Sequence, residues 1–253
     1  MDLIERRGPV DTQAELDALA ARYRRAGGFG IDVLNLVGGR AEDLLDRLPD
    51  QIRSGLEQAT TRALEQAMSL AYESRGIVPD QTSWLNSAVG AAMGAVGGIG
   101  GLPTALAELP VTTTLLLRVI QGVAVEYGFE AEADNVRFDC IRVFSAAGPL
   151  ETDDGADIGF ISARVTLTGA TVQGLIARVS PRLATVLGQK LAAQTVPVLG
   201  AVAGAATNYA YTSYYQEMAH VHFGLRRLAI DSDTPLDELV EMLRQRVSAR
   251  ALA

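Results

Sequence analysis

The chain has 253 residues, of which 48% are hydrophobic and 21% are charged, a composition typical of a globular protein. Its 30 acidic and 22 basic residues give a net charge of −8 at pH 7, and no basic stripe occurs, which argues against nucleic acid as a partner. The single cysteine, Cys140, excludes an intramolecular disulfide and suits a reducing compartment.

The N-terminal quarter predicts helices after a loose tail of ten residues. Thr12 can cap the first helix, with Glu15 three residues later, and the glycines that begin at Gly27 are expected to end it. Between residues 41 and 74, apolar residues fall three and four positions apart, which predicts one or two amphipathic helices. Pro49 is the expected break between them.

The middle of the chain continues the helical pattern. A helix is expected to begin at Pro110 and to end at Gly128, since proline suits the first turn and glycine the C-terminal cap. Further helices are predicted over residues 132–147 and 158–178, with a new helix starting at Pro181.

The C-terminus predicts an amphipathic helix with Thr234 as its cap and Pro235 in its first turn. No alternating pattern of useful length occurs, so the chain is predicted to be all-α. The predicted organisation is an N-terminal tail and helix (1–29), a central helical domain (30–230) and a C-terminal amphipathic helix (231–253).

Two long stretches without charge, Gln81–Ala107 and Leu191–Tyr215, are rich in glycine and alanine. Small residues four positions apart lie on one helix face and let another backbone approach closely. We therefore predict a multi-helix bundle with two central Gly/Ala-rich helical hairpin segments. The residues that carry this prediction are Gly90, Gly94, Gly98 and Pro103 in the first stretch and Gly200 and Gly204 in the second.

Neither stretch is apolar enough to predict a stable bilayer span. The Leu, Ile and Val residues of the first contribute about −2 to −4 kcal/mol on an insertion scale, against several polar and glycine residues. Buried core helices or a shallowly inserted hairpin are expected instead. Tyrosines follow the second stretch, and Tyr211, Tyr214 and Tyr215 fit a lipid or partner surface as well as a core.

Two familiar site patterns fail in this sequence. The glycines from Gly98 to Gly101 have Pro103 in place of the third fingerprint glycine and no preceding strand, which argues against a dinucleotide site. His220 and His222 are two residues apart and point to faces about 200° apart on a helix, so they cannot share a metal. No cofactor and no metal are expected.

A nucleophilic site is the rival interpretation. Lys190 and His222, with Glu108 as a carboxylate, are the residues that could serve a hydrolase, although no GxSxG or SxxK motif accompanies them. The simpler interpretation is that polar residues within apolar segments are buried and paired. These residues are Glu108, Arg118, Arg164, Lys190, Asn208, His222 and Arg226.

The segment from Gly188 to Leu228 resembles the hallmark C-terminal segment of the EcsC family. The matching positions are Lys190, Gln194, Pro197, Gly200, Asn208, Gln216, Met218, His222, Phe223, Arg226 and Arg227. The glycine-rich run that leads to Leu102-Pro103 and to Thr112-Thr113-Thr114 resembles the family's other signature, and Phe160 with Arg164 resembles its aromatic and arginine pair. The resemblance spans roughly residues 30–228.

The resemblance implies a bacterial, mostly helical, membrane-associated protein without established catalysis, from a family found beside ABC transporter genes. The N-terminus has no apolar signal region, so we expect a cytoplasmic protein that associates peripherally with the inner membrane. The expected partner is a membrane lipid or membrane protein, bound through the Gly/Ala-rich segments. The alternatives are the hydrolase and a helical scaffold for a membrane transporter, and the oligomeric state stays open.

Overall fold

A computed structural model describes residues 8–37, 41–75, 109–146, 172–194 and 200–251 of the chain. Within these ranges every regular element is helical, so the prediction of an all-α bundle is confirmed. The helices are α1 (Thr12–Val37), α2 (Ala41–Leu44), α3 (Asp50–Arg75), α4 (Leu109–Glu126), α5 (Asp134–Phe144), α6 (Val172–Gln194), α7 (Gly200–Ser232) and α8 (Leu236–Ala251).

Helix α1 differs from its prediction at both ends. Its cap is Asp11, whose Oδ1 accepts hydrogen bonds from the backbone N–H groups of Gln13 at 3.0 Å and Ala14 at 3.1 Å. At the other end the helix continues through Gly27 and Gly28 to Val37, past the glycines that were expected to end it. A helical glycine costs only about 1 kcal/mol relative to alanine, so it weakens a helix without ending it.

The predicted break at Pro49 is present. Helix α2 passes into a single 3-10 turn, Leu45–Arg47, and α3 begins at Asp50. Proline lacks the N–H that a continuous helix would need. Its carbonyl instead accepts from the N–H groups of Ile52 at 2.9 Å and Arg53 at 3.0 Å, so Pro49 starts the first turn of α3.

Helix α4 ends as the sequence predicts. Gly128 adopts a φ of 84°, in the left-handed region that glycine tolerates. The N–H of Phe129 then donates to the carbonyl of Ala124 at 3.0 Å, which closes the end of the helix. A short turn leads into α5, which is shorter than the predicted 132–147 segment.

Helix α6 runs through Pro181, where the sequence predicted a restart. The proline removes the hydrogen bond to the carbonyl of Ala177. Both residues lie on the exposed side of α6, where water can bind the freed carbonyl. Val179 and Leu183 are buried on the opposite side, and their packing holds the helix continuous across the proline.

Helices α6 and α7 form an antiparallel hairpin, because only five residues connect them. The Tyr211 hydroxyl on α7 donates to the Val186 carbonyl on α6 at 2.9 Å, and both residues are fully buried. The second Gly/Ala-rich stretch therefore lies in a central helical hairpin, as predicted. The first, Gln81–Ala107, lies outside the described residues.

Helix α7 is the centre of the bundle, and α1, α5, α6 and α8 all contact it. Helix α1 packs along α7 and runs antiparallel to it. Leu19 of α1 lies against Gly224, and Arg22 of α1 pairs with Glu217 at 3.0 Å, so later residues of α1 meet earlier residues of α7. Helix α8 packs on both, with Arg246 bonded to Asp17 at 3.0 Å.

Gly188 marks a tight contact between α6 and the α2–α3 region. A Cβ at this position would lie 2.7 Å from Leu45 Cδ2 and 2.8 Å from Leu56 Cδ1. We expect Gly188→Leu to overpack this contact and to lower the free energy of unfolding by about 1–3 kcal/mol or more. Gly55→Leu in α3 is the matched control, because nothing lies within 4 Å of its Cβ position. Equal urea midpoints for the two variants would contradict the prediction.

Candidate functional site

Half of the buried polar side chains in the described residues lie along α7, the central helix. Its middle and C-terminal turns are almost entirely buried, although they contain hydroxyl, amide, imidazole and guanidinium groups. Buried polar groups must find partners within the protein. The buried polar residues of α7 are Thr207, Asn208, Thr212, Ser213, Gln216, His220, His222 and Arg227.

A cluster of charged side chains joins α7 to α5, and we call it the Asp139 cluster. It comprises Asp139 and Arg142 of α5 with His222 and Arg226 of α7. Asp139 Oδ1 lies 3.2 Å from His222 Nε2 and 3.6 Å from the Arg142 guanidinium. Asp139 Oδ2 accepts a hydrogen bond from Arg226. Each helix contributes two residues one turn apart, so the four side chains face one another across the helix contact.

Phe129 completes the Asp139 cluster from the connection between α4 and α5. The guanidinium carbon of Arg226 lies 4.5 Å from the centre of the Phe129 ring, a cation–π contact. The same ring packs against Phe223 at a centroid distance of 5.6 Å. Arg226 is therefore held from two sides, by a carboxylate and by a ring face.

The electrostatics of the Asp139 cluster follow from its burial. Burial on its own raises the pKa of Asp139, but the charges of His222, Arg226 and Arg142 together outweigh it and hold that pKa below its usual value. Burial also lowers the pKa of Arg142, and the charge of Arg226 acts in the same direction. The carboxylate is thus ionised at neutral pH and balances cations from two helices.

A second polar group, the His220 junction, lies where α1, α4 and α7 meet. His220 is 6% exposed and its Nε2 lies 4.0 Å from Glu126. Its ring contacts Tyr127 edge to face at 5.8 Å, and among the described residues its Nδ1 has no hydrogen-bond partner. Burial, with a contribution from Arg22, lowers the pKa of His220 to about 4, so the imidazole is neutral at pH 7.

Lys190 lies towards the opposite end of the bundle from His222. Both are 1% exposed, but Lys190 is one turn beyond Val186, and the hairpin pairs Val186 with Tyr211. Lys190 lies 4 residues from Val186 towards the hairpin turn, and His222 lies 11 residues from Tyr211 away from that turn. At 1.5 Å per residue, Lys190 and His222 are therefore about 22 Å apart along the hairpin. The two residues do not form one catalytic pair in this structure.

The remaining polar residues from the sequence prediction fall in different surroundings. Asn208 is 3% exposed on α7, and Arg118 is half-buried on α4. Arg226 belongs to the Asp139 cluster and keeps 20% of its side chain exposed. Glu108 and Arg164 lie outside the described residues. The predicted buried polar residues therefore do not form a single cluster in the structure.

The tyrosines predicted for a lipid or partner surface lie in the core. Tyr211 and Tyr215 are completely buried and Tyr214 is 6% exposed. The Tyr215 ring meets Phe144 of α5 edge to face at 4.9 Å and Tyr214 at 5.2 Å. Tyr211 therefore joins α7 to α6 and Tyr215 joins it to α5, and none of the three rings forms an outer face.

Among the described side chains of α7, the large apolar ones that are exposed are instead Val202 and Tyr209. They are 60% and 46% exposed and stand seven residues apart, which places them on the same side of the helix. Ala205 and Ala206 between them are half-exposed. We call these four residues the α7 apolar face. Gly204 is buried behind it, and Gly200 opens the helix.

The other predicted contact residues, Gly90, Gly94, Gly98 and Pro103, lie outside the described part of the chain. Within that part, α4 is the one helix long and apolar enough to cross a bilayer, and 56% of it is buried inside the protein. Core helices meet the same criterion of length and composition. No group of His, Cys, Asp or Glu suitable for a metal ion occurs in the described ranges.

Asp139, which organises its cluster, was not among the residues predicted from the sequence. A signal was present, because Val136 and Val143 lie three residues before it and four after it, and both are completely buried. Asp139 therefore stands on the core-facing stripe of its helix, where an acidic residue needs partners. The identity of those partners depends on α7, more than 80 residues later.

The arrangement agrees with a family match. A model of the EcsC protein family matches residues 46–228, more than two thirds of the chain. The chain belongs to the EcsC protein family. The matched range contains the Asp139 cluster, Lys190 and the α7 apolar face, whereas α1 and α8 of this EcsC family chain lie outside it. No curated protein and no solved structure matches the chain.

Proposed function

We propose that this EcsC family protein is a binding protein that associates reversibly with the inner face of the bacterial cytoplasmic membrane through the α7 apolar face. The observation that carries the proposal is the exposure of Val202 and Tyr209 on one side of a helix that carries no charge before Glu217. A tyrosine with an exposed ring favours the boundary between hydrocarbon and water.

The size of the α7 apolar face sets the expected strength of binding. Fully burying a valine side chain is worth about 1.5 kcal/mol or more, and the half-exposed alanines add little. The face therefore supports reversible association and not permanent insertion. A reversible peripheral protein is also what the moderate apolar content of the Gly/Ala-rich stretches predicts.

Charge contributes little to the proposed association. The chain carries a net charge of −8, and several exposed arginines already pair with carboxylates. Arg25 lies 3.4 Å from Glu217, and Arg244 lies 2.7 Å from Glu241. Binding through apolar contacts is insensitive to screening, since salt weakens only the electrostatic share beyond about 8–10 Å.

A liposome flotation assay tests the proposal. We expect the parent protein to float with vesicles of mixed phosphatidylglycerol and phosphatidylethanolamine at both low and high salt. The double variant Val202→Ser/Tyr209→Ser is expected to lose most of this binding while its circular dichroism stays unchanged. Val125→Ser is the matched control. Val125 is 41% exposed, but it lies on α4, beside the charged residue Glu126 at the C-terminal end of that helix.

The outcomes separate membrane binding from its rivals. Equal flotation of the double variant and the parent would show that the α7 apolar face is not the contact. If the parent does not float with pure lipid vesicles but floats with vesicles that contain a membrane transporter, the result would favour a helical scaffold for a transporter. The hydrolase gains no support from the geometry, because Lys190 and His222 are buried and far apart.

A further inference from the structure

We infer that the α7 apolar face selects membranes by the looseness of their lipid packing and not by the charge of their headgroups. The inference rests on the proposed membrane association and names the property of the bilayer that the face recognises. Three features carry it, namely the small size of the face, the lack of charge in its segment of the sequence, and the folded helix on which it stands.

The first feature is the size of the α7 apolar face. Val202 and Tyr209 are its large side chains, 60% and 46% exposed, and the two alanines between them present one methyl group each. A helix with several exposed leucine or phenylalanine side chains can separate tightly packed headgroups, because the apolar area that it buries offsets the cost. The α7 apolar face buries too little area for this. It therefore enters a bilayer where hydrocarbon is already exposed between the headgroups.

The second feature is the lack of charge in this part of the chain. Residues 191–216 contain no acidic or basic residue. The hydrogen bond from Tyr211 to Val186 sets the register of the hairpin. In that register Lys190 is level with Thr207, but it is 1% exposed and does not present its charge at the surface. Helices that recognise anionic lipids carry lysine and arginine along their polar side, so headgroup charge gives this face no comparable attraction.

The third feature is that the helix is folded and anchored without a membrane. Thr207, Asn208 and Tyr211 lie on the side of α7 that is turned away from the apolar face, and none of them is more than 3% exposed. Only the outer side of the helix can meet lipid, so it enters no deeper than about 5–10 Å, the boundary between headgroups and chains. Binding requires no folding of α7 and so carries no ordering cost of that kind.

Flotation with vesicles that vary in size and charge separately tests the inference. Small sonicated and large extruded vesicles of unsaturated phosphatidylcholine differ in lipid packing but carry no net charge. We expect the parent protein to float at least about fivefold better with the small vesicles. Replacing part of the phosphatidylcholine with phosphatidylglycerol at constant size should change flotation by less than about twofold. The far-UV circular dichroism of the protein should be the same with and without vesicles.

Ala205→Lys is expected to change the selectivity without enlarging the apolar face. Ala205 is half-exposed at the edge of the face, so a lysine there places its ammonium at the level of the headgroups. One basic residue near an anionic surface strengthens binding about fivefold. The variant should therefore gain flotation with vesicles that contain phosphatidylglycerol, whereas the parent should not. Ala205→Gln is the matched control, because glutamine is a long polar side chain without charge.

The outcomes keep failure of the inference distinct from failure of the proposed function. Equal flotation of the parent with small and large vesicles would overturn the inference and leave membrane association in place. A rise with phosphatidylglycerol as steep as that of Ala205→Lys would do the same. Absence of flotation with every vesicle would overturn both. Size-dependent flotation that persists in Val202→Ser/Tyr209→Ser would show that another part of the chain responds to lipid packing, and would also overturn the inference.

Discussion

Asp139→Ala is expected to lower the free energy of unfolding by about 3–5 kcal/mol, because it breaks a largely buried network of charges. The carboxylate contacts three cationic or potentially cationic groups, namely Arg142, His222 and Arg226. Removing it leaves two guanidinium groups close together, largely buried and without their shared counter-charge. Leaving a buried charge without its partner costs far more free energy than the intact buried pair contributes to stability.

Urea denaturation followed by circular dichroism measures this loss. Asp134→Ala is the matched control, because it removes a carboxylate from the same helix. Asp134 is 85% exposed and lies 3.9 Å from Arg137, so its loss should cost no more than about 1 kcal/mol. Similar losses in the two variants would contradict the assignment of Asp139 as the organising residue.

Much of the fold could be predicted from the sequence because local backbone chemistry decides it. Pro49 separates α2 from α3 and Gly128 ends α4, each through a property of that residue alone. The hairpin of α6 and α7 follows from two helical segments with a short connection. These features need no knowledge of which helices become neighbours.

The errors at Gly27 and Pro181 arise where tertiary contacts override local preference. Ala26 is 1% exposed next to the glycines, and the packing of α1 on α7 outweighs about 1 kcal/mol for each helical glycine. Pro181 lies on the exposed side of α6, where the lost hydrogen bond can be replaced by water. A sequence read alone shows the cost of each residue but not the contacts that offset it.

The candidate site was less predictable than the fold for the same physical reason. Tyr211 and Tyr215 are of a residue type that is common at membrane interfaces. The orientation of their side chains depends on where α5 and α6 lie, and both side chains face inward. Periodicity within α7 cannot reveal this, since nearly every side of its middle turns is covered. The pairing of Asp139 with Arg226 likewise joins two helices that are distant in sequence.

Acid is expected to destabilise the protein through His220 before it protonates Asp139. The pKa of His220 is lowered from 6.5 to about 4, first by burial and then by the charge of Arg22. Arg25 lowers it further, and Glu217 opposes the shift. Glu126 also faces the ring, at 4.0 Å, and Tyr127 meets its edge. Between these two pKa values, His220 is therefore protonated in the unfolded chain but neutral in the folded protein.

The direction of the pH dependence follows from this difference in proton uptake. Above pH 6.5 neither state holds the proton on His220, so the residue has no effect. As the pH falls from 6.5 to about 4, the unfolded chain takes up a proton that the folded protein does not, and stability decreases. The full loss is at most about 3 kcal/mol. The contribution of Asp139, whose pKa is lowered from 3.8, disappears only at still lower pH.

Urea midpoints measured from pH 7.5 to 4 on the parent and on His220→Gln reveal the contribution of His220. The quantity that matters is the slope against pH, because the amide can change the absolute stability at every pH. We expect the parent to lose up to about 3 kcal/mol more than the variant across this window. The chain has 2 histidines, so NMR titration of the two imidazole signals measures the pKa of His220 directly. Parallel stability curves, or an imidazole at position 220 that titrates near 6.5, would show that burial does not keep this residue neutral.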